Sequence, residues 1–269
     1  MDRAPVHPLE AWRLGAEPYY QPTGDECTLF DAACAQQLPV LLKGPTGCGK
    51  TRFVEHMAWR LQRPLVTVAC HEDLGAADLV GRWLLDADGT RWQDGPLTLA
   101  ARHGAICYLD ELIEARPETT VVIHPLTDTR RMLPLVARNE VVHAHPDFRL
   151  VVSYNPSPMA REMKTSTRQR FGAIEFRYPE PEHEASIVAH ESGLELQQAA
   201  AIVAFGVRTR RLQGHGLDEG ASTRMLVHAA ALVAGGLGVT AACRLAVVDP
   251  LADDPAIHEA LRAALDVSF

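Results

Sequence analysis

Five short apolar runs set the rhythm of the first two thirds of the chain: 39–42 (PVLL), 64–69 (PLVTVA), 106–109 (ICYL), 148–153 (FRLVVS) and 174–178 (IEFRY). They are too short for helices and mostly lack the alternation of a half-exposed strand, so they predict buried strands. Helical spacing fills the gaps. Asp25–Leu38 places Leu29, Phe30, Ala33 and Leu38 inward, and Phe53, Met57, Ala58 and Leu61 form the face of a second helix. A short helix is expected to begin at His71–Leu74, another to cover Pro96–His103, and a further one to run from Pro117, at its favoured first position, to Leu126. Two stretches read as hairpins instead. In 82–92, two Arg-Trp pairs flank the turn Asp86-Ala87-Asp88-Gly89, and 130–145 alternates on either side of its centre.

Past Pro179 the strand signal ends. Glu182–Ser192, Gln197–Leu212, Ser222–Ala234 and Asp254–Val267 all carry helical spacing. Strands alternating with helices, then helices alone, predict an α/β domain followed by a small all-helical one. The expected boundaries are an extended, proline-rich arm at 1–24, a nucleotide-binding α/β domain at 25–179 with hairpin inserts near 82–92 and 130–145, and a helical lid at 180–269. Tyr19 and Tyr20 are expected to dock on the surface, with the nucleotide base as the alternative contact.

The 269 residues carry a net charge of −8, which argues against nucleic acid as the main partner. No apolar run approaches the ~20 residues needed to cross a bilayer, and the first residues lack the apolar core of a signal peptide. A cytoplasmic protein without membrane contact is expected. The six cysteines contain no C-x-x-C pair and resemble neither a disulfide framework nor a zinc site.

The first predicted strand runs into Gly44-Pro45-Thr46-Gly47-Cys48-Gly49-Lys50-Thr51, and a helix follows. This is the strand–loop–helix setting of a P-loop. Its glycines let successive backbone N–H groups converge on phosphate, and the helix N-terminus adds partial positive charge. Lys50 is expected at the β/γ-phosphates of ATP and the Thr51 hydroxyl on Mg²⁺. Cys48, inside this loop, is a candidate for a reactive thiol whose modification blocks nucleotide entry. Asp110, closing the third strand, is placed to hold Mg²⁺ through water, and Glu111 beside it to act as general base. Asn155 ends the fourth strand and can orient a lytic water.

Arg168 and Arg170 precede the last strand. Their spacing predicts the far edge of the sheet, away from their own phosphate loop, so that one would serve the ATP of a neighbouring subunit. Arg161 and Lys164 add to this basic cluster. Arg224 opens a helix of the second domain. His143 and His145 have no third ligand at useful spacing and read as hairpin surface.

In order, GPTGCGKT, ICYLDE, VVSYNP, STRQRF and ASTRM resemble the Walker A, Walker B, sensor 1, arginine-finger and sensor 2 elements of AAA+ ATPases. The two hairpins resemble the helix-2 and pre-sensor-1 inserts of the MoxR branch. Longer runs, among them 68–111, 119–131 and 214–225, are similar to the CbbQ/NorQ family, and the likeness spans about 18–235. The resemblance implies an AAA+ three-layer sandwich with a five-stranded parallel sheet and a helical lid. It implies Walker B roles for Asp110 and Glu111, sensor roles for Asn155 and Arg224, and Arg170 rather than Arg168 as the finger. It further implies a homo-hexameric ring working with CbbO, an adaptor bearing a von Willebrand A domain, to release inhibitory sugar phosphates from Rubisco with ATP. Relatives of the NorQ kind serve nitric oxide reductase maturation, and a nucleotide-gated scaffold is a third reading. Intact Glu111, Asn155 and the paired arginines argue against the scaffold. One departure stands out: the stretch 157–167 is short and lacks a glycine after Pro156.

Overall fold

The computed structural model describes residues 9–87, 89–156, 163–214 and 216–269. Two compact units emerge, and they do not follow the chain in one cut. The first holds the chain up to Lys43 together with Lys50–Glu175, and the second holds Gly44–Gly49 with Phe176–Phe269.

The first unit is built on a five-stranded sheet of β1 (Val40–Lys43), β2 (Leu65–Ala69), β5 (Ile106–Asp110), β8 (Arg149–Tyr154) and β9 (Gly172–Glu175). Its order is β2-β5-β8-β1-β9, with every pairing parallel. The central strands are apolar because both faces are covered: Leu41, Cys107, Leu109, Leu150 and Val152 join one core with Leu79, Leu97, Ala100 and Ile123. The helices Lys50–Arg60 and Pro96–His103 follow the predicted spacing; the second begins on a proline and ends at Gly104 in the left-handed region.

Several expectations shift. The helix Glu26–Ala35 buries Glu26, Phe30 and Cys34, one residue every turn, which turns Leu29 outward at 44% exposure. Leu38 lies beyond the helix end and is also exposed, resting against Gly172. Residues 71–74 form a turn, and the helix starts only at Ala76, where the Asp78 carboxylate accepts the Gly75 N–H at 3.0 Å. The helix from Pro117 stops at Val122, and His124–Leu126 continues as a 3₁₀ turn, because Pro125 offers no N–H to an α-helical ladder. The arm is tied down where it is described. Leu9 is fully buried, Arg13 reaches the Gln62 carbonyl at 2.8 Å, and Tyr20 packs on Phe53 and His56 while donating to Glu26 at 2.6 Å.

Both hairpins form: β3 (Gly81–Asp86) with β4 (Gly89–Asp94), and β6 (Met132–Leu135) with β7 (Glu140–His143). They are fastened to each other. The Trp83 indole donates to the Ala137 carbonyl at 3.2 Å, and Arg138 lies over the Trp92 ring at 5.8 Å. Arg102 clasps Asp94 at 2.8 Å and Glu140 at 2.5 Å.

The second unit is helical: Pro181–Ser192, Leu196–Arg210, Thr223–Ala234 and Pro255–Asp266, close to the predicted spans. Ser222 and Asp254 cap the last two through their side chains. A further helical stretch at 239–251, widened between Arg244 and Val248, had no counterpart among the expected helices. Cys243, Val247 and Val248 from it are buried against Leu226, Ala230 and Leu261.

Candidate functional site

In the first unit, two strand ends and one helix start bring the expected polar residues together with an unexpected serine. Asp110 closes β5, Ser153 lies in β8, Asn155 follows β8, and Lys50 and Thr51 open the helix after the phosphate loop. Because β5 and β8 are parallel neighbours, their carboxyl ends fall side by side, which is where open α/β sheets place ligands.

The two oxygens of Asp110 differ in what they do. Oδ1 accepts from the Tyr108 hydroxyl at 2.6 Å and from the Ser153 hydroxyl at 2.5 Å. Oδ2 faces the Thr51 hydroxyl at 3.4 Å, too long for a strong bond. One oxygen thus anchors the side chain while the other keeps hydrogen-bonding capacity. A hydroxyl and a carboxylate oxygen at this spacing are the hard oxygen donors Mg²⁺ takes, and that ion keeps several waters and phosphate oxygens rather than an all-protein cage. The residues therefore fit the ion. Burial, and then the Asp110 charge, push the Tyr108 phenol far above its ordinary range, so it stays a donor. The same two influences, with Glu111 added, push the Cys70 thiol up to about 12.

Glu111 stands in the left-handed region at φ 55° and ψ 48°, and its N–H donates to the Ser153 hydroxyl at 2.7 Å. Ser153 thereby fixes the backbone of one acid and the carboxylate of the other. Asn155 completes the chain of contacts: its Oδ1 accepts from the Lys50 ammonium at 2.6 Å, and its amide donates to Glu111 Oε1 at 3.1 Å. Lys50 itself is buried. Ser153 and Tyr108 were absent from the sequence reading. Their only signal was polarity inside otherwise apolar strands.

The arginines before β9 lie elsewhere. β9 is an edge strand as expected, yet it pairs with β1 itself, so distance across the sheet does not separate it from the phosphate-loop strand. Strand direction does. Gly172 pairs with Val40 at the start of β1, so Arg170 sits at the end opposite the loop that follows Lys43. At ~3.3 Å per residue, the length of β1 amounts to roughly 13 Å. Arg168 is exposed, and among the described residues only its backbone is hydrogen-bonded, to Lys164 and Phe171. Arg170 is half-buried, 3.9 Å from Asp128, which Arg130 also grips. Nearby, His124 meets Thr167 at 3.1 Å. Burial, with Arg170 and Lys164 adding, holds the His124 imidazole below its ordinary value. Arg161 and the shortened stretch at 157–162 lie outside the described residues, as does Asp88 of the first hairpin turn.

In the second unit, Gly44–Gly49 folds against the lid helices. A Cβ on Gly44 would meet the Phe176 carbonyl at 2.5 Å. One on Gly47, at φ +67°, would meet the Ser222 Cβ at 2.7 Å and the Arg224 Cβ at 3.4 Å. Arg224 is thus held beside the loop by the start of its helix. Pro45, Thr46 and Cys48 belong to the same strip, and Cys48 is buried, which limits access for a thiol reagent. Tyr178 donates to the Thr46 carbonyl at 3.0 Å.

No helix of the described chain is long and apolar enough to cross a membrane. The AAA domain (dynein-related subfamily) family matches residues 39–171, and the CbbQ/NirQ/NorQ C-terminal family matches residues 184–268. Protein CbbQ of Hydrogenophilus thermoluteolus is 60% identical over 94% of this chain and 96% of its own. Protein NorQ of Paracoccus denitrificans is 55% identical over 91% of this chain and 92% of its own. A RuvB mutant structure from Thermotoga maritima shares the fold at a TM-score of 0.55 and 16% identity, covering 91% of this chain and 72% of that one. The chain is a P-loop AAA+ ATPase and belongs to the CbbQ/NirQ/NorQ family.

Proposed function

We propose that this chain is the ATP-hydrolysing subunit of a ring, hexameric in keeping with the resemblance, that works with a CbbO-like adaptor to free inhibited Rubisco of bound sugar phosphates. The hydrolytic part rests on one observation above all: Asn155 links Lys50 to Glu111 through 2.6 and 3.1 Å hydrogen bonds. A residue touching both the phosphate-binding lysine and the acid can report phosphate occupancy to the base. In this reading Gly44–Thr51 cradle ATP, and Thr51 with Asp110 hold Mg²⁺, which when bound supplies charge neutralisation at the phosphates. Glu111 takes the proton of the attacking water as the water oxygen bonds to the γ-phosphorus and the bond to the bridging oxygen breaks. Asn155 orients that water. Arg224 answers from the same chain, and Arg170, or the freer Arg168, from a neighbouring one.

Identity of 60% to a CbbQ supports the Rubisco client. Identity of 55% to a NorQ keeps a second reading open, a chaperone for nitric oxide reductase or another metalloenzyme. The test is release of a sugar phosphate from inhibited Rubisco with ATP, the cognate adaptor, and either the parent chain or Glu111→Gln. Release by the parent alone supports the first reading. ATP hydrolysis without release moves the client to the second. ATP hydrolysis by Glu111→Gln at the parent rate removes Glu111 from the chemistry.

A further inference from the structure

Linked to the loop Gly44–Gly49 through Tyr178 is a buried polar cluster of which only Thr223 falls within a motif. Glu184 is completely buried, and both its oxygens are gripped by the Arg210 guanidinium at 2.6 and 2.8 Å. Its Oε1 also accepts the Thr223 hydroxyl at 2.6 Å. Arg210 donates its Nε–H to the Ala221 carbonyl at 2.8 Å. Its guanidinium lies 3.8 Å from the centre of the Tyr178 ring, and the Tyr178 hydroxyl donates to the Thr46 carbonyl. Gly220 lets the chain pass this close, since a Cβ there would strike the Arg210 Cα at 2.4 Å.

Each contact joins a part of the nucleotide machinery to the next. Thr46 belongs to the phosphate loop; Tyr178 leads to Arg210, Arg210 to Glu184, and Glu184 to Thr223, which immediately precedes Arg224. Forked, stacked and charge-assisted contacts hold geometry far more tightly than single hydrogen bonds do. We infer that Tyr178, Arg210, Glu184 and Thr223 are positioning residues forming a strut that sets Arg224 against the phosphate loop, so that loop and sensor helix respond to nucleotide together. The inference rests on the ATPase reading above and adds to it residues outside the phosphate loop.

The test uses substitutions that spare packing. Tyr178→Phe keeps the ring under Arg210 and removes only the bond to Thr46. Thr223→Val removes one hydroxyl at nearly constant volume, and Thr223→Ser restores it. Steady-state ATPase is measured for these, for Arg224→Ala, for the Tyr178→Phe/Arg224→Ala double variant and for Lys50→Ala, alongside melting without nucleotide. The expected result for Tyr178→Phe is a KM for ATP raised about 3- to 10-fold with kcat within about twofold, in line with one lost hydrogen bond. Thr223→Val should behave likewise, Thr223→Ser like the parent, and the double variant should lose clearly less than the product of the single effects. An unchanged KM, a loss matched by lowered melting without nucleotide, or strictly multiplicative effects would overturn the strut. If Lys50→Ala hydrolyses ATP like the parent, the ATPase assignment of the loop fails; if it is inactive while Tyr178→Phe is unaffected, only the strut fails.

Discussion

Two polar clusters, one in each unit, use the same residue types to opposite effect. Around Asp110, contacts are uneven: Oδ1 is held at 2.5 and 2.6 Å, while Oδ2 meets Thr51 only at 3.4 Å. Around Glu184, both oxygens are engaged and the carboxylate is sealed from water. A carboxylate with capacity in reserve can take up a cation or a proton. One whose partners are all protein groups can only hold things in place. The comparison suggests reading roles from unspent hydrogen-bond capacity rather than from residue type.

The largest expected contrast is Glu111→Gln against its own stability. Loss of a general base should cut ATP turnover about 10²- to 10⁴-fold, while chemical denaturation shifts little, since Glu111 Oε1 accepts one exposed hydrogen bond, from Asn155. Turnover within tenfold of the parent would undo the proposed role. Next comes Glu184→Leu, which leaves the nearly buried Arg210 unpaired and should cost about 3–5 kcal/mol in denaturant unfolding. A cost below about 1 kcal/mol would mean that the second cluster is no more rigid than the first.

The hairpins give a smaller and more local contrast. Trp92→Ala should cost about 1–3 kcal/mol, because its ring packs on the core of the first unit and its indole donates to Asp94 at 2.6 Å. Trp83 is half-exposed, so Trp83→Ala should cost under about 1 kcal/mol and leave basal ATPase intact. Equal stability losses for both would assign the two tryptophans the same structural work. The smallest effect concerns His124, whose folded form resists protonation because of burial and of Arg170 and Lys164. As pH falls below its ordinary value of 6.5, the unfolded chain gains a proton that the folded chain refuses, so stability declines, levelling once the folded imidazole titrates. His124→Asn should flatten that decline in melting curves run between about pH 7 and 5.

Features written in contiguous residues were legible in the sequence. The phosphate loop, Asp110-Glu111, the five sheet strands and the two hairpins depend on local period and turn chemistry. What escaped depends on contacts distant in sequence. Tyr178 meets Thr46 across 132 positions and Arg210 meets Glu184 across 26, and no periodicity encodes either. The inward face of the first helix was read only in part: Phe30 is buried as expected, but Leu29 is the more apolar choice by type, whereas Glu26 and Cys34 share the buried stripe with Phe30. Strand order escaped too: that β9 lies next to β1 follows from how the sheet winds, not from the residues around Arg170.

The backbone of Glu111 carries a lesson for engineering. A side chain at φ 55° costs roughly 1–2 kcal/mol relative to ordinary conformations, a strain that glycine escapes. A search for thermostabilising substitutions guided by backbone shape would therefore select glycine at this position. The resulting protein would melt no lower than its parent and carry no carboxylate where the proposed base belongs. Durability and turnover pull in opposite directions at this one residue, and the chain has kept the acid.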